Sequence, residues 1–264
     1  MEFWGVFIIA GLLAGFFAGL LGIGGGFVVV PVLIFALPKA GIASEQAAHF
    51  AIGTSLLCIC ITALASTRGH HQRSAVDWSV FRITAPGLII GSLAGAALAA
   101  LVSGLWLTLL FVGGALVTAI YLISGHRPQP TTHKARWPLF VYGQFTGLVS
   151  ALIGIGGGSV LVPFFVYRGK SMVQSVGTAA ACGFPIALFG ALGYAISGIN
   201  RGVQIDYATG YLYWPAFFGI VIFSTLSAPL GVKLAHFIPE KHLRRVFALF
   251  LFFTSGQILY SQWL

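Results

Sequence analysis

An all-α integral membrane protein built from two homologous repeats is the fold this sequence predicts, and three observations predict it. Apolar residues make up 58% of the chain, charged residues only 7%, and the mean hydropathy is +0.96, whereas a soluble domain carries about 25% charged residues. Apolar runs of roughly twenty residues, the length that crosses a hydrocarbon core, recur throughout. A long glycine-containing segment near the N-terminus returns, without a gap, in the middle of the chain.

The apolar runs cover residues 3–21, 46–67, 83–102, 105–124, 138–153, 172–198, 209–235 and 246–260. Their length and lack of alternation favour helices over a β-barrel. The first run is preceded by Glu2 rather than a basic cluster, and its sequence recurs later, so it is expected to stay in the mature protein rather than act as a signal peptide. The predicted location is therefore a cell membrane, multi-pass, and the bacterial inner membrane if the source is prokaryotic.

The net charge of +9 does not point to nucleic acid. The 14 Lys and Arg lie in short loops or at span ends rather than in one stripe with aromatics, which suits membrane orientation. Cys58, Cys60 and Cys182 lie within apolar spans with no CxxC and no nearby His, and read as small buried hydrophobes rather than metal or redox groups. The five carboxylates, Glu2, Glu45, Asp77, Asp206 and Glu240, fall at span ends or in loops. No nucleophile, base and orienting acid come together, and no Walker A motif is present, so the reading is a transporter rather than an enzyme, without a cofactor.

Internal repetition is the strongest signal. Residues 11–31, GLLAGFFAGLLGIGGGFVVVP, align with residues 143–163, GQFTGLVSALIGIGGGSVLVP, at 11 of 21 identical positions. Gly53-Thr54 then answers Gly177-Thr178, Val76-Asp77-Trp78 answers Ile205-Asp206-Tyr207, and Gly95 answers Gly231. The expected organisation is a first repeat over 1–124, a polar cytoplasmic linker over 125–137 and a second repeat over 138–264. If the chain turns back at each glycine run, every repeat crosses an odd number of times and the second is inverted. One side then receives twelve Lys and Arg and the other only Lys39 and Arg201, a strong positive-inside bias, with both termini outside.

A doubled GIGGG followed by V-x-V-P or V-L-V-P, each trailed by Gly-Thr, resembles the sulfite exporter TauE/SafE family, also called the toluene sulfonate uptake permeases. The resemblance runs from about Gly11 to Gln257. It implies transport of sulfite, sulfonates or sulfoacetate, often outward, and leaves open which of these anions is carried. An anion channel and a transporter of a carboxylate without sulfur remain alternatives. The partners expected are the small anion and the lipid bilayer, with no nucleic acid, and a homo-oligomer stays open.

Consecutive glycines in the middle of an apolar span cannot hold a stable helix. A broken backbone in hydrocarbon is tolerated only where protein or a watery cavity satisfies it, so both breaks should face an internal site. Short helices starting after them would aim free N–H groups and positive dipole ends at an anion near the midplane. Gly24, Gly25 and Gly26 with Gly156, Gly157 and Gly158 are the expected binding backbone. Ser159 begins the second short segment, to cap it or donate to substrate, whereas Phe27 stands at the matching place in the first. Thr54, Ser55 and Thr178 are candidate hydroxyl donors, with i−4 backbone bonding as the competing role.

His49, with Val173 at the matching place, is the candidate for proton coupling, against an ordinary interfacial role. Asp77 and Asp206 are expected to cap the helices that follow them. Gly11, Gly15 and Gly19 read as a packing stripe, where substitution should be milder than at the breaks.

Overall fold

The computed structural model describes residues 3–21, 25–124, 137–234 and 240–263. Ten helices form among them: α1 (Phe3–Leu21), α2 (Gly26–Lys39), α3 (Ser44–His71), α4 (Trp78–Leu101), α5 (Gly104–Ser124), α6 (Trp137–Ile153), α7 (Gly158–Tyr167), α8 (Met172–Asn200), α9 (Trp214–Leu234) and α10 (Glu240–Trp263). Helices α3, α4, α5, α8 and α9 are long and apolar enough to cross a membrane. Large apolar side chains such as Ile9, Val117, Leu226 and Phe253 are mostly exposed on the outside of the bundle, as lipid-facing side chains should be. The chain is a multi-pass membrane protein. The linker expected at 125–137 lies outside the described residues, apart from Trp137 at the start of α6.

Both glycine runs reverse the chain. With 14 and 10 residues, α2 and α7 reach only about 21 and 15 Å, short of a hydrocarbon core of about 30 Å. Tyr142 of α6 stacks flat on Phe164 of α7, centroids 3.6 Å apart, and its hydroxyl donates to the Val160 carbonyl at 3.3 Å. In a continuous helix Tyr142 and Phe164 would be about 33 Å apart. The first break does the same, since a Cβ on Gly25 would lie 2.9 Å from the Ala14 carbonyl oxygen of α1.

The repeats interlock through glycine. α4 packs along α6, and α1 packs along α9, so the lead helix of each repeat lies on the fourth helix of the other. Backbones touch in both pairs: a Cβ on Gly91 would sit on the Gln144 carbonyl oxygen, and one on Gly11 would be 2.5 Å from that of Ile220. α3 and α8 pack against each other at the centre. Gly15 does lie in such a seam, but a Cβ there would sit on the Ser224 carbonyl oxygen and the Ser227 hydroxyl. The expectation that Gly15→Ala would be mild therefore fails, because the neighbour is backbone rather than a side chain that can rotate away.

The two aspartates part company. Asp77 caps α4 as expected, accepting from the Ser79 and Val80 amides at 3.0 and 3.1 Å. Asp206 does not cap α9, because residues 208–213 intervene as a hairpin of β1 (Ala208–Thr209) and β2 (Leu212–Tyr213). Gly210, at φ 55, takes the first turn position that favours glycine. The first six residues expected to belong to the 209–235 span, or immediately before it, are thus strand and turn. In the structure Tyr213, not Asp206, stands before its helix as Asp77 stands before α4.

Asp77 also joins the repeats through an ion pair with Lys170, in the α7–α8 loop. Burial alone would raise its carboxyl, but hydrogen bonds from Lys170, Ser79 and Val80 outweigh it and hold the pKa at about 2. A depressed carboxylate stabilises the fold above its unfolded pKa, and the contribution is lost as pH falls toward about 2. Asp77→Ala should cost about 1–2 kcal/mol, most of it the cap, since a partly exposed pair adds little. Asp77→Asn, which keeps a capping oxygen, should cost less; thermal unfolding in detergent at neutral and acid pH checks both, and the difference between parent and Asp77→Asn should shrink in acid.

Candidate functional site

The candidate site is built from the two breaks. Gly25 and Gly157 occupy the left-handed region, φ 70 and 74, and each is the N-cap of its short helix. Val28 and Val29 donate to the Gly25 carbonyl, and Val160 and Leu161 to that of Gly157. The amides of Gly26, Phe27, Gly158 and Ser159 precede the helical ladder and have no helical acceptor. Gly24 lies outside the described residues.

The two breaks abut. A Cβ on Gly26 would fall on the Gly154 carbonyl oxygen and 3.0 Å from the Ile155 Cα. Ser55 of α3 donates to that same Gly154 oxygen at 2.9 Å, so this candidate residue braces the junction. Gly156 faces α8, its carbonyl 3.1 Å from where a Cβ on Gly183 would stand. Beside it is a small recess lined by Ala18, Thr62, Ser66, Gly156, Ala180 and Gly183, among others, with room for about one water molecule.

The breaks differ in chemistry. Phe27 is buried at the first, its ring 6.0 Å from Phe111 and 6.4 Å from Phe247. At the second, Ser159 makes no capping bond, and its hydroxyl is buried without a hydrogen-bond partner. Thr146 and Ser150, one turn apart on α6, are fully buried and have hydroxyls equally without partners. A Cβ on Gly157 would lie 3.3 Å from the Ser150 Oγ and 3.4 Å from the Thr146 methyl. Sequence reasoning missed these two residues, although the repeat alignment held the signal: Ala14 and Ala18 occupy their places in the first repeat.

Thr54 and Thr178 are tied to backbone distant in sequence. Their hydroxyls accept from the amides of Tyr213 and Asp77, at 3.0 and 2.9 Å, so each anchors the start of the other repeat's fourth helix. Accepting from a distant amide leaves each hydroxyl its own hydrogen to donate. His49 is buried within the protein. Its Nε2 is 3.1 Å from the carbonyl oxygens of Ala99 and Val102, to which it can donate at the end of α4, and its ring stacks on Tyr211 at 4.9 Å. It is six residues from Ser55 on α3, about 9 Å along the axis, while its Nδ1 is buried without a partner. Cys58, Cys60 and Cys182 are free and buried.

Comparison with known proteins agrees with this architecture. The model of the sulfite exporter TauE/SafE family matches residues 7–258. A probable membrane transporter protein of Haemophilus influenzae is 34% identical over 92% of this chain and 93% of its own length. One of Methanocaldococcus jannaschii is 29% identical over 90% and 88%, and one of Xylella fastidiosa 26% identical over 98% and 95%. No solved structure matches significantly. With the doubled breaks, the multi-pass helical fold and a family match spanning nearly its whole length, the chain belongs to the sulfite exporter TauE/SafE family of membrane transporters.

Proposed function

We propose that the chain exports a small sulfur oxyanion or organosulfonate, such as sulfite or sulfoacetate, bound where the two glycine breaks meet. The observation that carries this is the contact of Gly26 with the Gly154–Ile155 backbone, which unites two broken-helix starts inside an apolar bundle. Helix N-termini supply positive partial charge to an anion without a fixed cation. Alternating access would be a movement of one repeat against the other around this junction.

Inversion of the repeats is part of the proposal. It is supported by the Asp77–Lys170 pair, which needs the α3–α4 and α7–α8 loops at one face. Four crossings per repeat would put them on opposite faces. Reporters fused in the linker near Thr131 and at Leu264 should then give opposite signals, cytoplasmic and external; matching signals would contradict the inverted arrangement.

The transport test is flux in proteoliposomes, comparing sulfite, sulfoacetate and acetate under an imposed potential and an imposed pH gradient. An anion leaving a negative interior gains about 2.3 kcal/mol per charge per 100 mV, close to a fiftyfold gradient at equilibrium. Export can run on the potential alone. It should follow the clamped potential, and His49→Gln should retain much of it, since His49 faces helix-end carbonyls rather than the breaks. Flux that ignores the potential, follows pH and vanishes in His49→Gln would instead establish proton coupling through His49.

A further inference from the structure

We infer that the second break alone holds the anion, through Thr146, Ser150, Ser159 and the first amides of α7, and that the bound species is a singly charged oxyanion. This rests on the reading that the chain transports small oxyanions.

Several hydroxyls elsewhere in these helices turn back on their own backbone: Thr84, Thr108, Thr118, Thr225 and Thr254 all donate to the carbonyl four residues earlier, whereas Ser66, Thr67, Ser175 and Ser255 are buried without a partner. Thr146 and Ser150 do not, although both are fully buried and the same acceptors lie within reach on α6. A buried hydroxyl without a partner is costly in hydrocarbon surroundings. Two of them lie a turn apart on the stretch of α6 beside Gly157, which the Ser150 Oγ and the Thr146 methyl approach, and with the Ser159 hydroxyl at the start of α7 they are three donors without a partner in the fold. An oxyanion with several oxygens would accept from all of them.

Nothing comparable stands at the first break. Ala14, Ala18 and Phe27 take the matching places, and Phe27 is sealed among aromatic rings. The recess that borders Gly156 leads along the Thr62–Ser66 face of α3, and the Ser66 hydroxyl is again buried without a partner. The recess touches both repeats, at Ala18 and at Gly156, but its backbone at the break is that of Gly156.

The charge of the ligand follows from what these groups are. Among the described residues no Lys or Arg is buried, so the anion meets only amide and hydroxyl dipoles. Attraction to fixed dipoles grows in proportion to ionic charge, whereas the Born penalty of leaving water grows with its square. This imbalance favours a monoanion, such as hydrogensulfite or a simple sulfonate, over a dianion, such as doubly ionised sulfoacetate.

The test is proteoliposome flux of methanesulfonate, a monoanion, and sulfate, a dianion. It compares the parent with the Thr146→Val/Ser150→Ala double variant and with Thr118→Val, a hydroxyl bonded within α5. The parent should carry methanesulfonate at least tenfold faster than sulfate. The double variant should raise KM for methanesulfonate tenfold or more without lowering Tm, because the lost hydroxyls bond nothing in the protein, and Thr118→Val should keep the parent KM. A parent that moves neither anion overturns the transport reading and this inference with it. A parent that moves methanesulfonate while the double variant keeps its KM, or loses only Tm, overturns the second-break site alone. Sulfate carried as fast as methanesulfonate overturns the monoanion assignment.

Discussion

Gly157→Val should reduce anion flux by more than tenfold, and Gly25→Val should do the same. Both positions hold positive φ, 74 and 70, a region that costs a β-branched residue about 1–3 kcal/mol. The added atoms also have no room at either break. At Gly157 they would meet the Ile186 Cδ1 at 2.5 Å and the Ser150 Oγ at 3.3 Å, and at Gly25 the Ala14 carbonyl oxygen at 2.9 Å. Strain must be separated from obstruction, and Gly41 does so: its φ is 90, yet nothing lies within 4 Å of its Cβ position. Gly41→Val should lose stability and keep its flux per folded molecule. Equal loss of flux in all three variants would show that backbone strain anywhere, rather than the breaks, explains the effect.

Gly15→Ala and Gly91→Ala should be among the most destabilising single-methyl additions in the chain. Each new Cβ would stand on a carbonyl oxygen of the opposing helix, Ser224 for Gly15 and Gln144 for Gly91. Overpacking a seam typically costs about 1–3 kcal/mol, and rigid backbone on both sides places these two at the upper end. Gly113→Ala on α5 is the control, with open space around it; there the methyl should be neutral or should stabilise by up to about 1 kcal/mol through helix propensity. Thermal unfolding in detergent compares them. If Gly15→Ala matches the parent while Gly113→Ala falls, α1 and α9 do not touch through this seam.

Much of the molecule was legible before any coordinates. Apolar runs of spanning length identify helices, because a membrane leaves the backbone no other partner. The repeated GIGGG locates the two breaks, because clustered glycines cannot sustain a helix and the left-handed φ at Gly25 and Gly157 admits little else. Asp77 announced itself as a cap by standing just before an apolar run.

Other features depended on partners distant in sequence, which local pattern does not encode. Thr54 and Thr178 match each other in the repeat and read as paired donors, and the structure adds that each accepts from an amide more than a hundred residues away. The partners of His49, namely Ala99, Val102 and Tyr211, likewise come from segments distant in sequence. Asp206 matched Asp77 by sequence but was separated from α9 by a hairpin whose turn is set by a single glycine. Sequence by itself determined where this chain is helical, where its helices must break and that it is doubled, since these follow from local backbone energetics in a solvent without water. Only the tertiary structure decided which hydroxyls are left free beside a break, because a hydroxyl's role is set by which acceptor the packing brings within hydrogen-bond reach.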